Sequence, residues 1–121
     1  MKMRSTLPTV FAAMLLAVQL LACAATAQSA PRRIELTAKR FEFTPGEITL
    51  KKGEPVVLVL KSADVGHGIR FNDLGVEGKV DKGGTAEISF TPNKTGTFVG
   101  HCSVFCGTGH GGMTLTLHVV E

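Results

Sequence analysis

Between residues 28 and 121, no run of ten residues combines apolar side chains at a helical period with helix caps at its ends. This removes helical bundles and alternating helix–strand folds, because an amphipathic helix needs an apolar stripe recurring every 3.6 residues. The region instead offers alternation and interruption. Ile34, Leu36 and Ala38 alternate with Glu35, Thr37 and Lys39, and Phe41 and Phe43 carry this period of two to a turn at Thr44-Pro45-Gly46. Residues 47–50 form a short strand closed by Lys51-Lys52-Gly53-Glu54. Pro55 opens the β-branched run Val56-Val57-Leu58-Val59-Leu60, which suits a strand buried on both faces. Residues 86–90, 97–102 and 114–120 supply further strands, each bounded by Gly, Pro or Asn turn chemistry. Many short strands in under 100 residues predict an all-β domain, a Greek-key sandwich or small barrel.

The first residues have a different composition. All 14 glycines of the 121-residue chain lie beyond residue 45, whereas Met1, Met3 and Met14 lie before it. Lys2 and Arg4 precede an apolar run over residues 10–22 interrupted only by Gln19, and Ala25-Thr26-Ala27 follows as a small-x-small cleavage site. This is the order of an export signal occupying residues 1–27. A run of 13 residues is shorter than the roughly 20 of a spanning helix, so a retained signal anchor is the lesser reading. Leu20-Leu21-Ala22-Cys23 also resembles a lipobox, with Cys23 as the lipidated residue. Membrane contact is expected only if Cys23 is lipidated or the signal is retained.

Removal of residues 1–27 takes away Lys2 and Arg4 but no acid, so the formal charge falls from +3 to +1. A near-neutral domain with scattered lysines carries no electrostatic footprint for nucleic acid. The remaining divisions are an N-terminal arm and first strand over residues 28–40 and the main domain over residues 41–121.

The chemistry is concentrated in one loop, His101-Cys102-Ser103-Val104-Phe105-Cys106-Gly107-Thr108-Gly109-His110-Gly111-Gly112-Met113. Two thiols, an imidazole and a thioether lie at the spacing C-x3-C-x3-H-x2-M. Sulfur donors with imidazole favour copper, since zinc sites use Cys, His and carboxylate but not Met. The second imidazole comes from elsewhere in the chain. His67 is the candidate, flanked by Gly66 and Gly68 just after the most apolar strand. His101 would point away from Cys102 along a strand, and His118 alternates with Leu115, Leu117 and Val119 on a polar face.

Other readings of the same residues stand beside copper. Cys102 and Cys106 can form a disulfide in an exported protein, although so short a loop gains little and leaves His110 and Met113 unexplained. Met113 can be a gap-filling core residue. A zinc site of Cys102, Cys106, His110 and His67 is a third reading.

Ser62-Ala63-Asp64-Val65-Gly66-His67, taken with the loop from Cys102 to Met113, resembles the copper-A cupredoxin domain of cytochrome c oxidase subunit II and of the nitrous oxide reductase C-terminus. The resemblance runs from about Phe41 to Glu121. It implies a cupredoxin-like Greek-key β-sandwich with a binuclear, mixed-valence copper centre. By position, Cys102 and Cys106 would bridge two coppers, and His67 and His110 would each cap one. Met113 would be a weak ligand to one copper, and the Val104 main-chain carbonyl a weak ligand to the other. Two thiolates would cancel most of the metal charge and reduce the penalty of burying it. With every position filled, such a site has no opening for a reactant, which describes an electron carrier better than a self-contained enzyme.

The departures from the family matter. The chain has no tryptophan, whereas the oxidase subunits carry a tryptophan-containing stretch for electron entry, and Val104 stands where they place a magnesium-binding glutamate. The resemblance therefore implies a free-standing exported (periplasmic) relative that passes single electrons to or from a redox protein such as a cytochrome c or a terminal oxidase. No small-molecule substrate is expected. The alternative is a periplasmic protein that stores copper or delivers it to an oxidase. A mononuclear type 1 site of His67, Cys106, His110 and Met113 is a variant of the carrier reading that leaves Cys102 without a role.

Overall fold

Alternating side chains produce nine strands and two single-turn 3₁₀ helices in the computed structural model, which describes residues 30–121. The expected signal at 1–27, including Cys23, lies outside the described residues. The strands are β1 (Arg32–Lys39), β2 (Glu42–Thr44), β3 (Glu47–Lys51), β4 (Val56–Ser62), β5 (His67–Phe71), β6 (Val76–Val80), β7 (Thr85–Phe90), β8 (Gly96–His101) and β9 (Thr114–Val120). They form a four-stranded sheet in the order β2-β1-β4-β7 and a five-stranded sheet in the order β3-β9-β8-β5-β6.

Each sheet contains one parallel pair. β1 lies parallel to β4, with Leu36 opposite Leu60, and β3 lies parallel to β9, with Leu50 opposite Val119. The remaining pairs are antiparallel. Non-neighbouring strands pair, and the chain crosses repeatedly between sheets, which gives the all-β Greek-key sandwich expected from the sequence.

Leu36, Leu58 and Leu60 of the first sheet and Ile69, Phe71, Leu115 and Leu117 of the second belong to one buried apolar cluster. All five residues from Val56 to Leu60 are buried, matching the expectation for this β-branched run. The same cluster includes Cys102, Cys106 and Met113, so the sulfur-bearing loop is continuous with the core.

Two local features differ from the sequence expectation. The first strand does not run through Phe41, because β1 ends at Lys39 and β2 resumes at Glu42 after a turn. Residues 67–80, unassigned from the sequence, contain the antiparallel hairpin of β5 and β6 with a 3₁₀ turn (Asn72–Leu74) between them. Both strands have five residues and a glycine inside, which hides their alternation.

Candidate metal centre

β4 leads through the 63–66 turn into β5, whose first residue is His67. His67 is fully buried (0% exposed), so it is a core side chain and not an ordinary loop histidine. Ser62 Oγ donates to the Val65 carbonyl and accepts from the Asp64 main-chain N–H, which shapes the turn before it. Asp64 Oδ1 lies 2.6 Å from His67 Nε2 and accepts the Val65 N–H at 2.7 Å. Its second oxygen accepts the Arg40 N–H at 2.8 Å. These contacts hold the Asp64 carboxyl at about 2, with the Arg40 hydrogen bond the largest cause and the His67 contact the next. The carboxylate occupies Nε2, leaving Nδ1 to face Cys102.

The second half of the site follows β8. The Cys102 N–H bonds the Met113 carbonyl, closing the base of the loop, and the Ser103 N–H reaches the Gly68 carbonyl of β5. A Cβ at Gly68 would lie 2.3 Å from Ser103 Oγ and 3.1 Å from the Val104 side chain, so only glycine lets the loop lie across β5. Gly107, at φ +136°, turns the chain from Cys106 toward the 3₁₀ turn His110–Gly112, where the His110 N–H meets the Gly107 carbonyl. Met113 ends that turn and is fully buried.

The side chains selected from the sequence converge. Cys102 Sγ and Cys106 Sγ are 3.8 Å apart. Both thiols are free, and this spacing is well beyond the roughly 2.05 Å of a disulfide. Cys102 Sγ lies 4.0 Å from His67 Nδ1, and its thiol donates to the Val104 carbonyl at 3.1 Å. Cys106 Sγ lies 3.7 Å from His110 Nδ1 and 3.8 Å from Met113 Sδ. Each sulfur therefore has its own imidazole and its own weaker donor. Burial raises the Cys106 thiol to about 11, and the neighbouring Cys102 adds to that rise, while the Arg40 charge opposes it.

This donor set fits a soft cation. Two thiols, two imidazole nitrogens, a thioether and a carbonyl meet at the edge of the apolar core, and sulfur-rich sites of this kind select copper over harder ions. His101 is exposed, and His118 lies on the outer face of β9 near Thr97 and Glu47; neither is among these contacts. The sequence reading gave no role to Asp64 or Arg40. Asp64 had a legible signal in its position three residues before His67, whereas Arg40 reaches the site only through tertiary structure.

Sheet order and a sulfur–imidazole loop between the last two strands define the class. The cupredoxin-like domain family matches residues 12–115, and the chain belongs to that family. Within it, the chain is 39% identical over 72 residues to a probable cytochrome c oxidase subunit 2 of Streptomyces coelicolor, covering 60% of this chain and 23% of that protein. It is 27% identical over 99 residues to cytochrome c oxidase subunit 2 of Thermus thermophilus, covering 80% of this chain and 73% of the relative. The chain thus spans about a quarter of the length of the Streptomyces protein. The periplasmic domain of cytochrome oxidase subunit II from Bradyrhizobium japonicum superposes with a TM-score of 0.68 at 24% identity, covering 79% of this chain and 88% of that one. Auracyanin A, a blue copper protein from Chloroflexus aurantiacus, gives 0.64 at 21% identity, covering 75% and 100%. These two structures share the fold.

Proposed function

We propose that this protein is an exported copper protein that passes single electrons through a binuclear copper-A centre. The observation that carries this reading is the paired arrangement of donors. Two unbonded thiols 3.8 Å apart are each faced by a separate imidazole, at 4.0 and 3.7 Å. A mononuclear site would use one thiol and leave the other buried without a role. Similarity to oxidase subunit 2 chains supports the same reading.

Cys102 and Cys106 would hold the metals as bridging thiolates, His67 and His110 would cap them, and Met113 and the Val104 carbonyl would supply the weaker contacts. A bound copper pair would supply a redox group able to accept and return one electron. The chain supplies the rest. Asp64 fixes the His67 ring, the Gly68 crossing holds Ser103, next to Cys102, against β5, and the apolar cluster leaves both cysteines almost fully buried. A frame built on strands moves little when charge changes, which keeps reorganisation small. Electron exchange with a cytochrome c or a terminal oxidase in the periplasm completes the proposed role.

The test is copper titration of the reduced protein followed by optical and EPR spectroscopy. The expected result is two coppers per chain, a purple colour, and a hyperfine pattern from one electron shared by two nuclei. One copper with a blue, single-nucleus spectrum would replace the binuclear reading with a type 1 site. Sluggish electron exchange with a small cytochrome c, together with rapid copper transfer to a copper-free oxidase domain, would assign copper delivery instead.

A further inference from the structure

Arg40 lies in the turn between β1 and β2, remote in sequence from both ligand-bearing segments. Its main-chain N–H donates to Asp64 Oδ2 at 2.8 Å, and its side-chain Nε donates to the Cys106 carbonyl at 2.8 Å. Asp64 in turn holds His67 through its other oxygen. One residue thus joins the carboxylate behind the first imidazole to the main chain of the second thiol. The next residue extends the contact. The Phe41 ring covers the loop so closely that a Cβ at Gly109 would lie 2.5 Å from it, and one at Gly107 would lie 2.9 Å away. Gly107 and Gly109 therefore give the ring its seat, and the β1–β2 turn clamps the segment from Cys106 to His110.

We propose that Arg40 is a positioning residue that sets the Cys106–His110 segment against the Asp64–His67 pair and, through its fixed positive charge, raises the reduction potential of the metal centre. The proposal rests on the copper reading above. A guanidinium stays charged at all working pH values and presents a rigid planar donor set, so it supplies both constant charge and defined geometry. A nearby positive charge favours the state that has gained an electron. Arg40 is exposed, so solvent attenuates this effect without abolishing it.

The experiment compares the full chain with Arg40→Gln and Arg40→Lys. At the wild-type midpoint potential, Arg40→Gln should raise the oxidised-to-reduced ratio from one to roughly three to ten, a range set by one charge at intermediate effective dielectric. Arg40→Lys should hold that ratio near one. In the copper-free protein, both variants should speed amide hydrogen exchange of Gly107–His110 by roughly threefold or more, because neither preserves the Nε donor geometry. An Arg40→Gln protein with wild-type ratio and wild-type exchange would overturn the proposal. Equal ratios in the Gln and Lys variants would overturn its electrostatic half. Wild-type protein that binds no copper would sink the copper reading instead, and the exchange measurement would still decide the positioning role.

Discussion

The two imidazoles beside the thiols are held in different ways. His67 opens a β-strand, is fully buried, and has its outer nitrogen against a carboxylate that is itself bonded to two main-chain N–H groups. His110 begins a single 3₁₀ turn, is half-buried, and has no carboxylate partner among the described residues. Its ring is tilted against Phe105 with centroids 5.7 Å apart, and Phe105 is 75% exposed. The His67 imidazole is thus part of the folded core, while the His110 imidazole lies nearer the surface on a glycine-rich loop whose Cys106 and Met113 are buried. The difference predicts that two imidazoles at similar distances from their sulfurs differ in what their loss does to the fold.

Replacing each histidine by alanine tests this most directly. His67→Ala should lower the stability of the copper-free protein by about 2–4 kcal/mol, since it empties a buried volume and removes one of the three hydrogen-bond partners of Asp64. His110→Ala should cost less than about 1 kcal/mol. Urea unfolding of the two variants measures both values, and equal losses would break the comparison.

The thiol beside His110 adds a dependence on pH. Copper requires thiolate, and burial holds Cys106 protonated up to about 11. Uptake must therefore release its proton, so apparent affinity should rise by about tenfold per pH unit for each proton released. Chelator competition at pH 6 and pH 8 reads this slope, and a flat profile would remove Cys106 from the ligand set.

Asp64 sharpens the His67 side. Its pKa is lower folded than unfolded, so its stabilisation is complete above the ordinary value of 3.8 and lost as pH falls toward about 2. Asp64→Asn should lose about 1 kcal/mol at neutral pH and show a shallower stability decline across that acid window. Unfolding curves at pH 7, 4 and 2.5 test both statements. The smallest effect belongs to the exposed ring. Phe105→Ala should change stability by less than about 0.5 kcal/mol, detectable as an unchanged urea midpoint. A larger loss would mean that the His110 side is more firmly built than its exposure suggests.

The sequence exposed some of this architecture and concealed the rest for physical reasons. The all-β class was legible because alternation and turn residues are local signals. The loop donors were legible because four unusual side chains fall within twelve residues. Which thiol pairs with His110 and Met113 was not legible, because both cysteines lie in that same short span. The β5–β6 hairpin was hidden by glycines inside its strands, and full burial of His67 was hidden because neighbours from distant segments enclose it. Arg40 was the least legible, since its contacts to Asp64 and Cys106 span 24 and 66 positions. No local pattern encodes such a reach.

The two parallel pairings have a kinetic consequence. β1 meets β4 only after the chain between them has crossed between sheets, and β3 waits for β9, the last strand of the chain. High contact order of this kind places the domain among slowly folding topologies, because loop closure must precede the contacts that reward it. The His67 and Cys106 neighbourhoods meet where β5 pairs with β8 in the five-stranded sheet. Arg40 and Asp64, in the turns after β1 and β4 of the other sheet, join them only when the two sheets pack. On the proposed copper reading, metal uptake is therefore expected to follow completion of the fold. During that interval both thiols stand side by side in a finished protein, and the redox balance of the surroundings governs how long they remain receptive.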